Sequence, residues 1–161
     1  DRCEEVVARV SRTWRLEAGV KLRDLDAVLI RSTSRVGSVK VVKPGIDPQR
    51  GNWTEDDFIT VERMQHSWNE VDSIAEAHGI QFNCPKCSDG ERGHIVICWS
   101  RSAGAPEDIP PLPGRWSLHG TSIYDLTLDG DVGNANSNRS VQLQGGCNAH
   151  FHVTNGEIVP A

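Results

Sequence analysis

The chain has 161 residues, of which 37% are hydrophobic, and it carries a net charge of −5 at neutral pH. This length fits one domain with a small appendage, and so low an apolar content predicts a thin core that a bound metal would help to stabilise. No apolar run approaches the roughly 20 residues that a membrane-spanning helix needs, so we expect no membrane partner.

The charge is distributed unevenly along the chain. Residues 1–50 contain 11 Lys and Arg against 7 Asp and Glu, a balance of +4, whereas residues 51–161 contain 6 against 15, a balance of −9. Nucleic-acid binding depends largely on neutralising phosphates, so the acidic part is a poor match to nucleic acid. A nucleic-acid-binding module that uses the basic N-terminal segment therefore ranks third among the functional hypotheses, because a mixed solvated surface explains the imbalance more simply.

The first 66 residues mix predicted helices with predicted strands. Apolar residues at helical spacing predict a helix over residues 3–16. Residues 27–31 and 38–43 are rich in Val, Leu and Ile and predict two short strands. Thr54 is followed by three acidic residues, which predicts a capped helix over about 55–66.

The rest of the chain is predicted to be almost entirely β. A capping-box pattern at 73–76 predicts one or two helical turns, and the Asn155-Gly156 pair predicts a type I′ hairpin near the C-terminus. Strand patterns occur at 80–83, 94–100, 115–119, 123–128, 141–144, 151–154 and 157–159. We therefore predict an α+β, mostly β fold. A zinc-ribbon-like β domain over 67–161 would be preceded by a small helix and strand extension over 1–66.

Two short motifs each carry a pair of metal-ligand residues three positions apart. They are Cys84-Pro-Lys-Cys87 and Cys147-Asn-Ala-His150. Together they supply three thiols and one imidazole, which is a complete tetrahedral shell for one Zn²⁺. A thioredoxin-type redox motif would need a helix after the first pair, and the Gly- and Asp-rich residues that follow disfavour one. We predict a structural zinc site formed by Cys84, Cys87, Cys147 and His150.

A catalytic zinc site is the main alternative. The nucleobase-deaminase pattern fails, because Pro stands inside the cysteine pair and His78 is followed by Gly-Ile instead of x-Glu. His150 and His152 lie two apart on a predicted strand and share a face, so both could reach a metal. Cys84, Cys87 and His150 could then bind it and keep one position open to water. A zinc-dependent hydrolase with His152 or an acid as proton carrier is thus the second hypothesis.

Three further residues carry weaker signals. Cys98 lies in the apolar run 95–99 and is interpreted as a buried thiol, although it is the best substitute ligand if His150 is not used. His94 and His119 either lie near the site or are simply polar surface residues, and we favour the second interpretation. The odd total of five cysteines favours a reducing compartment over a secreted disulfide framework.

A series of motifs fills residues 80–159. It consists of Phe82-Asn-Cys-Pro-Lys-Cys87, Gly93-His-Ile-Val-Ile-Cys-Trp99, Pro113-Gly-Arg-Trp116, Gly120-Thr121, Asp125-Leu-Thr-Leu128 and the run 145–156. In this order the motifs resemble a family of small proteins encoded by bacteriophages and prophages, and the ending resembles DUF6527-type domains. The resemblance implies phage origin and zinc binding but no known reaction. Residues 1–20 and about 34–66 look like additions to that family pattern.

These observations lead to one expected function. We predict a phage accessory protein whose zinc-stabilised β domain binds another protein, either a virion component or a host factor. The expected location is the host cytoplasm or the virion, and we predict no secretion. We expect Zn²⁺ as the cofactor and no catalytic residues.

Overall fold

The computed structural model describes residues 16, 19–87, 93–112, 114–130, 140–144 and 146–161. Strands form nearly all of the regular secondary structure in this part of the chain, which confirms the prediction of a mostly β fold. The ten strands are β1 (Val20–Lys21), β2 (Val28–Val42), β3 (Phe58–Val71), β4 (Gly79–Asn83), β5 (Ile95–Trp99), β6 (Ser117–His119), β7 (Thr127–Asp129), β8 (Val141–Gln142), β9 (His150–Thr154) and β10 (Glu157–Pro160). Two short 3₁₀ helices, Leu22–Leu25 and Glu55–Asp57, complete the described elements. The helix predicted over 3–16 falls almost wholly outside the described residues.

The chain divides into two compact units. The first unit combines residues 1–32 with residues 69–161, and the second unit is residues 33–68. The residue range of the second unit nearly coincides with the segment of about 34–66 that looks like an addition to the family pattern.

Two antiparallel sheets build the first unit. One sheet has the strand order β1-β10-β9-β8, and in the other β4 lies between β2 and β5. A separate pair, β6 with β7, lies outside both sheets. β8 ends the first of these sheets and β5 ends the second, so each of these two strands is an edge strand.

The main core lies among these elements and is built from alternating side chains. Phe82 on β4 and Phe151 on β9 are both almost fully buried, and their rings meet edge to face with centroids 6.1 Å apart. Strand alternation places every second residue on the buried side, which is why Phe151 and Val153 are buried whereas His150 and His152 are only half-buried. The register of β9 thus fixes which of its residues can face the core.

A smaller cluster surrounds Trp99. Its ring is fully buried beside Ile30 and Ile109, and its Nε1–H donates to the Pro110 carbonyl oxygen at 2.8 Å. Trp116 packs against the main core and remains partly exposed. A buried indole needs an acceptor for its N–H, and Trp99 has one in the Pro110 carbonyl oxygen.

The second unit is a long hairpin formed by most of β2 and β3. The Lys43 amide donates to the Asp57 carbonyl oxygen at 2.8 Å, and the Thr33 and Ser67 hydroxyls meet at 2.7 Å. The helix predicted over 55–66 is wrong, because only Glu55–Asp57 is helical and the chain then enters β3. The capping signal is nevertheless used locally: the Thr54 amide donates to Asp57 Oδ2 at 2.8 Å.

Two smaller predictions in this region also need correction. The strands predicted at 27–31 and 38–43 are parts of one continuous strand, β2, because its pairing with β3 carries it through the polar stretch between them. The pattern at 73–76 forms a turn and no helix, although Ser73 Oγ does donate to Glu76 Oε2 at 3.0 Å. The described residues contain no helix long and apolar enough to cross a lipid bilayer.

The C-terminal hairpin follows the prediction closely. Asn155 and Gly156 both have positive φ, at 49° and 73°, and they join β9 to β10. A two-residue type I′ turn requires positive φ at both of its central positions. The Asn-Gly pair therefore sets the register between β9 and β10.

Candidate metal centre

The first half of the centre forms where β4 ends and β5 begins. The Cys84 amide donates to the His94 carbonyl oxygen at 2.7 Å, so the antiparallel pairing of β4 with β5 continues one residue beyond β4. Directly paired residues place their side chains on the same face of a sheet. In the turn that follows, the Cys87 amide donates to the Cys84 carbonyl oxygen at 3.3 Å, which folds Cys87 back towards this pair.

The second half of the centre comes from the turn before β9. Gly146 and Asn148 have positive φ, at 60° and 48°, and flank Cys147. Lys86 Nζ donates to the Cys147 carbonyl oxygen at 2.7 Å. The two cysteine-bearing turns are therefore joined by a hydrogen bond that does not involve the thiols themselves.

Four ligand atoms converge between these turns. The Sγ atoms of Cys84, Cys87 and Cys147 and one ring nitrogen of His94 lie within 4.8 Å of one another. Cys84 Sγ is 3.7 Å from Cys147 Sγ, and His94 Nδ1 is 3.4 Å from Cys147 Sγ and 3.8 Å from Cys87 Sγ. A tetrahedral zinc with ordinary bond lengths separates two sulfurs by about 3.8 Å, and a sulfur from a nitrogen by about 3.5 Å. The group therefore has the composition and spacing of a tetrahedral metal site.

The structure brings three of the four predicted ligand residues together and places a different histidine beside them. Cys84, Cys87 and Cys147 meet as predicted, but His94 and not His150 stands with them. His150 Nε2 lies 2.8 Å from Ser140 Oγ, in a different environment. His150 is the first residue of β9, and the register that buries Phe151 fixes its direction. Three-residue spacing from Cys147 is thus insufficient to bring His150 to the thiols.

His94 is the site residue that sequence reasoning passed over in favour of a surface role. The strand pattern of the sequence could have identified His94, because β4 leads directly into Cys84 and β5 starts one residue after His94. A hairpin of those two strands pairs the two residues. His94 is exposed overall, yet its Nδ1 faces the thiols.

The other candidate residues lie elsewhere. Cys98 is fully buried on β5 in the main core, and burial raises the pKa of its thiol. His152 is a half-buried residue of β9 outside the group of four. His119 Nε2 is 3.4 Å from Asp129 Oδ2, across the β6–β7 pair. His94, and not Cys98, is therefore the residue that lies with the three thiols.

The three thiols differ in how readily they ionise. Burial raises the pKa of Cys84, and burial together with the Cys147 thiol raises the pKa of Cys87 to about 12. Burial alone would also raise the pKa of Cys147. Hydrogen bonds from Cys87, the Ala149 amide and His94 outweigh that effect and lower this pKa to about 7. Only Cys147 is thus near ionisation at neutral pH, and a cation would be needed to ionise the other two.

Gly146 leaves room for the His94 ring. A Cβ atom at this position would lie 2.6 Å from His94 Cε1 and 2.8 Å from Nε2, closer than real Cβ contacts come. We therefore expect Gly146→Ala to displace His94 and to weaken metal binding by about tenfold, as is typical when a ligand loses its support. Competition with a chromogenic chelator measures this affinity.

Gly45→Ala is the matched control for that substitution. Gly45 also has positive φ, at 85°, but a Cβ there meets nothing within 4 Å. Both variants carry the cost of a left-handed Ala, about 1 kcal/mol, and only Gly146→Ala should change metal affinity. Equal metal affinities in the two variants would show that metal binding does not depend on the space that Gly146 leaves for the His94 ring.

Comparison of the chain with known proteins found no match. No protein-family model matches the chain, and neither a curated protein nor a solved structure was found to resemble it. The candidate function therefore rests on the geometry of the chain itself.

Proposed function

We propose that Cys84, Cys87, His94 and Cys147 hold one structural Zn²⁺, and that the protein acts by binding another protein. The observation that carries the zinc assignment is the group of four sulfur and nitrogen ligands at tetrahedral spacing. Zinc in such Cys₃His sites is held by four protein atoms. The ion would join the β4–β5 hairpin to the turn before β9.

The ligand set argues against a catalytic role for this metal. A catalytic zinc keeps one coordination position for water or substrate, and four protein ligands fill a tetrahedral shell. The proposed shell is full without His152, which the hydrolase hypothesis used as a proton carrier. Protein binding is therefore our first proposal, and the zinc-dependent hydrolase ranks below it.

Exposed apolar side chains support a binding role. In the second unit, Val36 is 60% exposed and Met64 is 52% exposed, although both are large apolar residues. Several such residues close together on a surface mark interaction sites in proteins. That the partner is a virion component or a host factor of a phage follows only from the family resemblance and stays a prediction.

Metal analysis with X-ray absorption tests the zinc proposal. We expect one zinc per chain in protein purified without chelator, with three sulfurs at about 2.3 Å and one nitrogen at about 2.0–2.1 Å. Finding no metal would contradict the structural site. If X-ray absorption shows three protein ligands and an oxygen in the fourth position, the hydrolase hypothesis would replace the protein-binding hypothesis.

A further inference from the structure

A cavity of about 680 Å³ is lined by two edge strands of the first unit, β5 and β8, beside the candidate metal centre. Residues 94–97 of the β5 segment line one side and residues 140–144 of the β8 segment line the other, with Leu112 and Trp116 also in the wall. His94 and Gly146, at the metal centre, form part of the same lining. The volume falls within the range of about 300–1,000 Å³ that is typical of ligand sites.

The edge of β5 offers backbone hydrogen-bonding groups to this cavity. The Cys84–His94 and His78–Ser100 pairs are hydrogen-bonded, each at 2.7 Å. In an antiparallel ladder hydrogen-bonded pairs alternate with non-bonded ones, so Val96 and Cys98 bond to β4. The N–H and C=O groups of Ile95 and Ile97 consequently point away from β4, towards the open edge.

The edge of β8 also offers backbone hydrogen-bonding groups to the cavity. The Leu143 amide donates to the Ala149 carbonyl oxygen at 2.9 Å, and Val141 pairs with Phe151. Gln142 lies between these two bonded positions, opposite His150. Its N–H and C=O groups therefore point away from β9. Among the described residues, two edges with outward backbone donors and acceptors thus line one cavity.

The side chains in the lining define what kind of segment would fit. None of the described lining residues is Asp, Glu, Lys or Arg, and Ile95 and Leu112 are 63% and 57% exposed. An occupant therefore needs uncharged residues where it lies in the cavity. The cavity belongs to the first unit, residues 1–32 and 69–161, whose charge balance is −5 (12 basic against 17 acidic residues). Charge complementarity favours Lys or Arg on either side of that uncharged stretch.

We propose that the cavity binds an extended peptide segment of a partner protein, which adds a strand to the edges of β5 and β8. The segment has an uncharged centre and basic flanks. Strand addition uses backbone hydrogen bonds for affinity and side-chain pockets for specificity. This inference rests on the proposed protein-binding function, and it names one surface of the first unit that would perform it.

A peptide library displayed on a carrier tests the proposal on the full chain with zinc bound. Twelve-residue peptides would carry five random uncharged residues in the centre and either Lys or Glu flanks. We expect selected peptides to have Lys flanks and to bind more weakly as salt is raised, because exposed charges are screened. Enrichment of no peptide, or of Glu-flanked peptides, would overturn the proposal. Zinc content and melting temperature are measured separately, so a structural zinc site would stand even then.

Gln142→Pro with Gln142→Thr as control tests the backbone contact. Proline removes the outward N–H of Gln142 and leaves the Val141 and Leu143 bonds to β9 in place, whereas Thr keeps the N–H. Fluorescence anisotropy with a selected peptide should show at least a tenfold loss of affinity for Gln142→Pro and no loss for Gln142→Thr. Equal affinities for both variants would contradict strand addition at β8.

A scan of the peptide gives a second measurement that does not depend on how the proline variant folds. Methylating one peptide backbone nitrogen at a time blocks one N–H at a time. A strand between two edges directs successive N–H groups alternately to β5 and to β8, so methylation at each of several consecutive central positions should weaken binding to the unaltered protein. Insensitivity at every position would rule out strand addition.

Discussion

Cys147→Ser is expected to abolish metal binding and to unfold the first unit. Cys147 lies in the turn before β9, whereas the other three residues of the group belong to the β4–β5 hairpin, so the proposed metal would join segments that are distant in sequence. A structural zinc contributes about 10–16 kcal/mol of apparent binding free energy, and domains of this size are stable by only about 5–15 kcal/mol. Removal of the metal by a chelator should have the same effect on circular dichroism and on the melting temperature.

Cys98→Ala is the control for this experiment. Cys98 is a fully buried thiol outside the group of four, so its loss removes a core side chain and no ligand. We expect it to cost about 1 kcal/mol, the usual size of a point-mutation effect, and to leave one zinc per chain. Unchanged melting of the wild type after verified metal loss would show that the site does not stabilise the fold.

His94→Ala is expected to weaken metal binding by on the order of 100-fold, whereas His150→Ala should bind metal as the wild type does. One of four metal bonds is lost in the first variant, and even a supporting residue outside the shell is worth about 10–100-fold. In the second variant only the contact of His150 with Ser140 is lost. Competition titration with a chelator of known affinity measures both.

His94→Cys separates the loss of a ligand from the loss of a side chain. It offers a thiolate in place of the imidazole, so the set becomes four cysteines, which is also a common structural zinc site. We expect metal binding to recover and X-ray absorption to show four sulfurs. If His150→Ala instead loses the metal and His94→Ala keeps it, the motif spacing was the better guide, and the direction of the β9 side chains is different from that described.

The chemistry of neighbouring residues was enough to predict several local features of this protein from its sequence. The Asn155-Gly156 pair specified a turn with two positive φ angles, because few residue types adopt them. The three cysteines of the two motifs were recognisable as ligands, because thiols at this spacing suit a tetrahedral metal. The run 95–99 was recognisable as a strand because it is apolar and too short for a buried helix.

Signals that act over one turn did not determine the longer elements. Thr54 and Asp57 do form the predicted capping contact, but it fixes only one turn. Beyond that turn the chain pairs with β2, as the bond from the Lys43 amide to the Asp57 carbonyl oxygen shows. Pairing over a dozen residues outweighs one cap, since each cap is worth about 1 kcal/mol.

Tertiary structure alone decided which histidine lies with the three thiols. His150 is three residues from Cys147, yet the register of β9 turns it towards Ser140. His94 is ten residues from Cys84, yet the β4–β5 ladder sets the two side by side. Sequence spacing measures distance along the chain, whereas a metal site depends on direction and distance in space, and strand register supplies both.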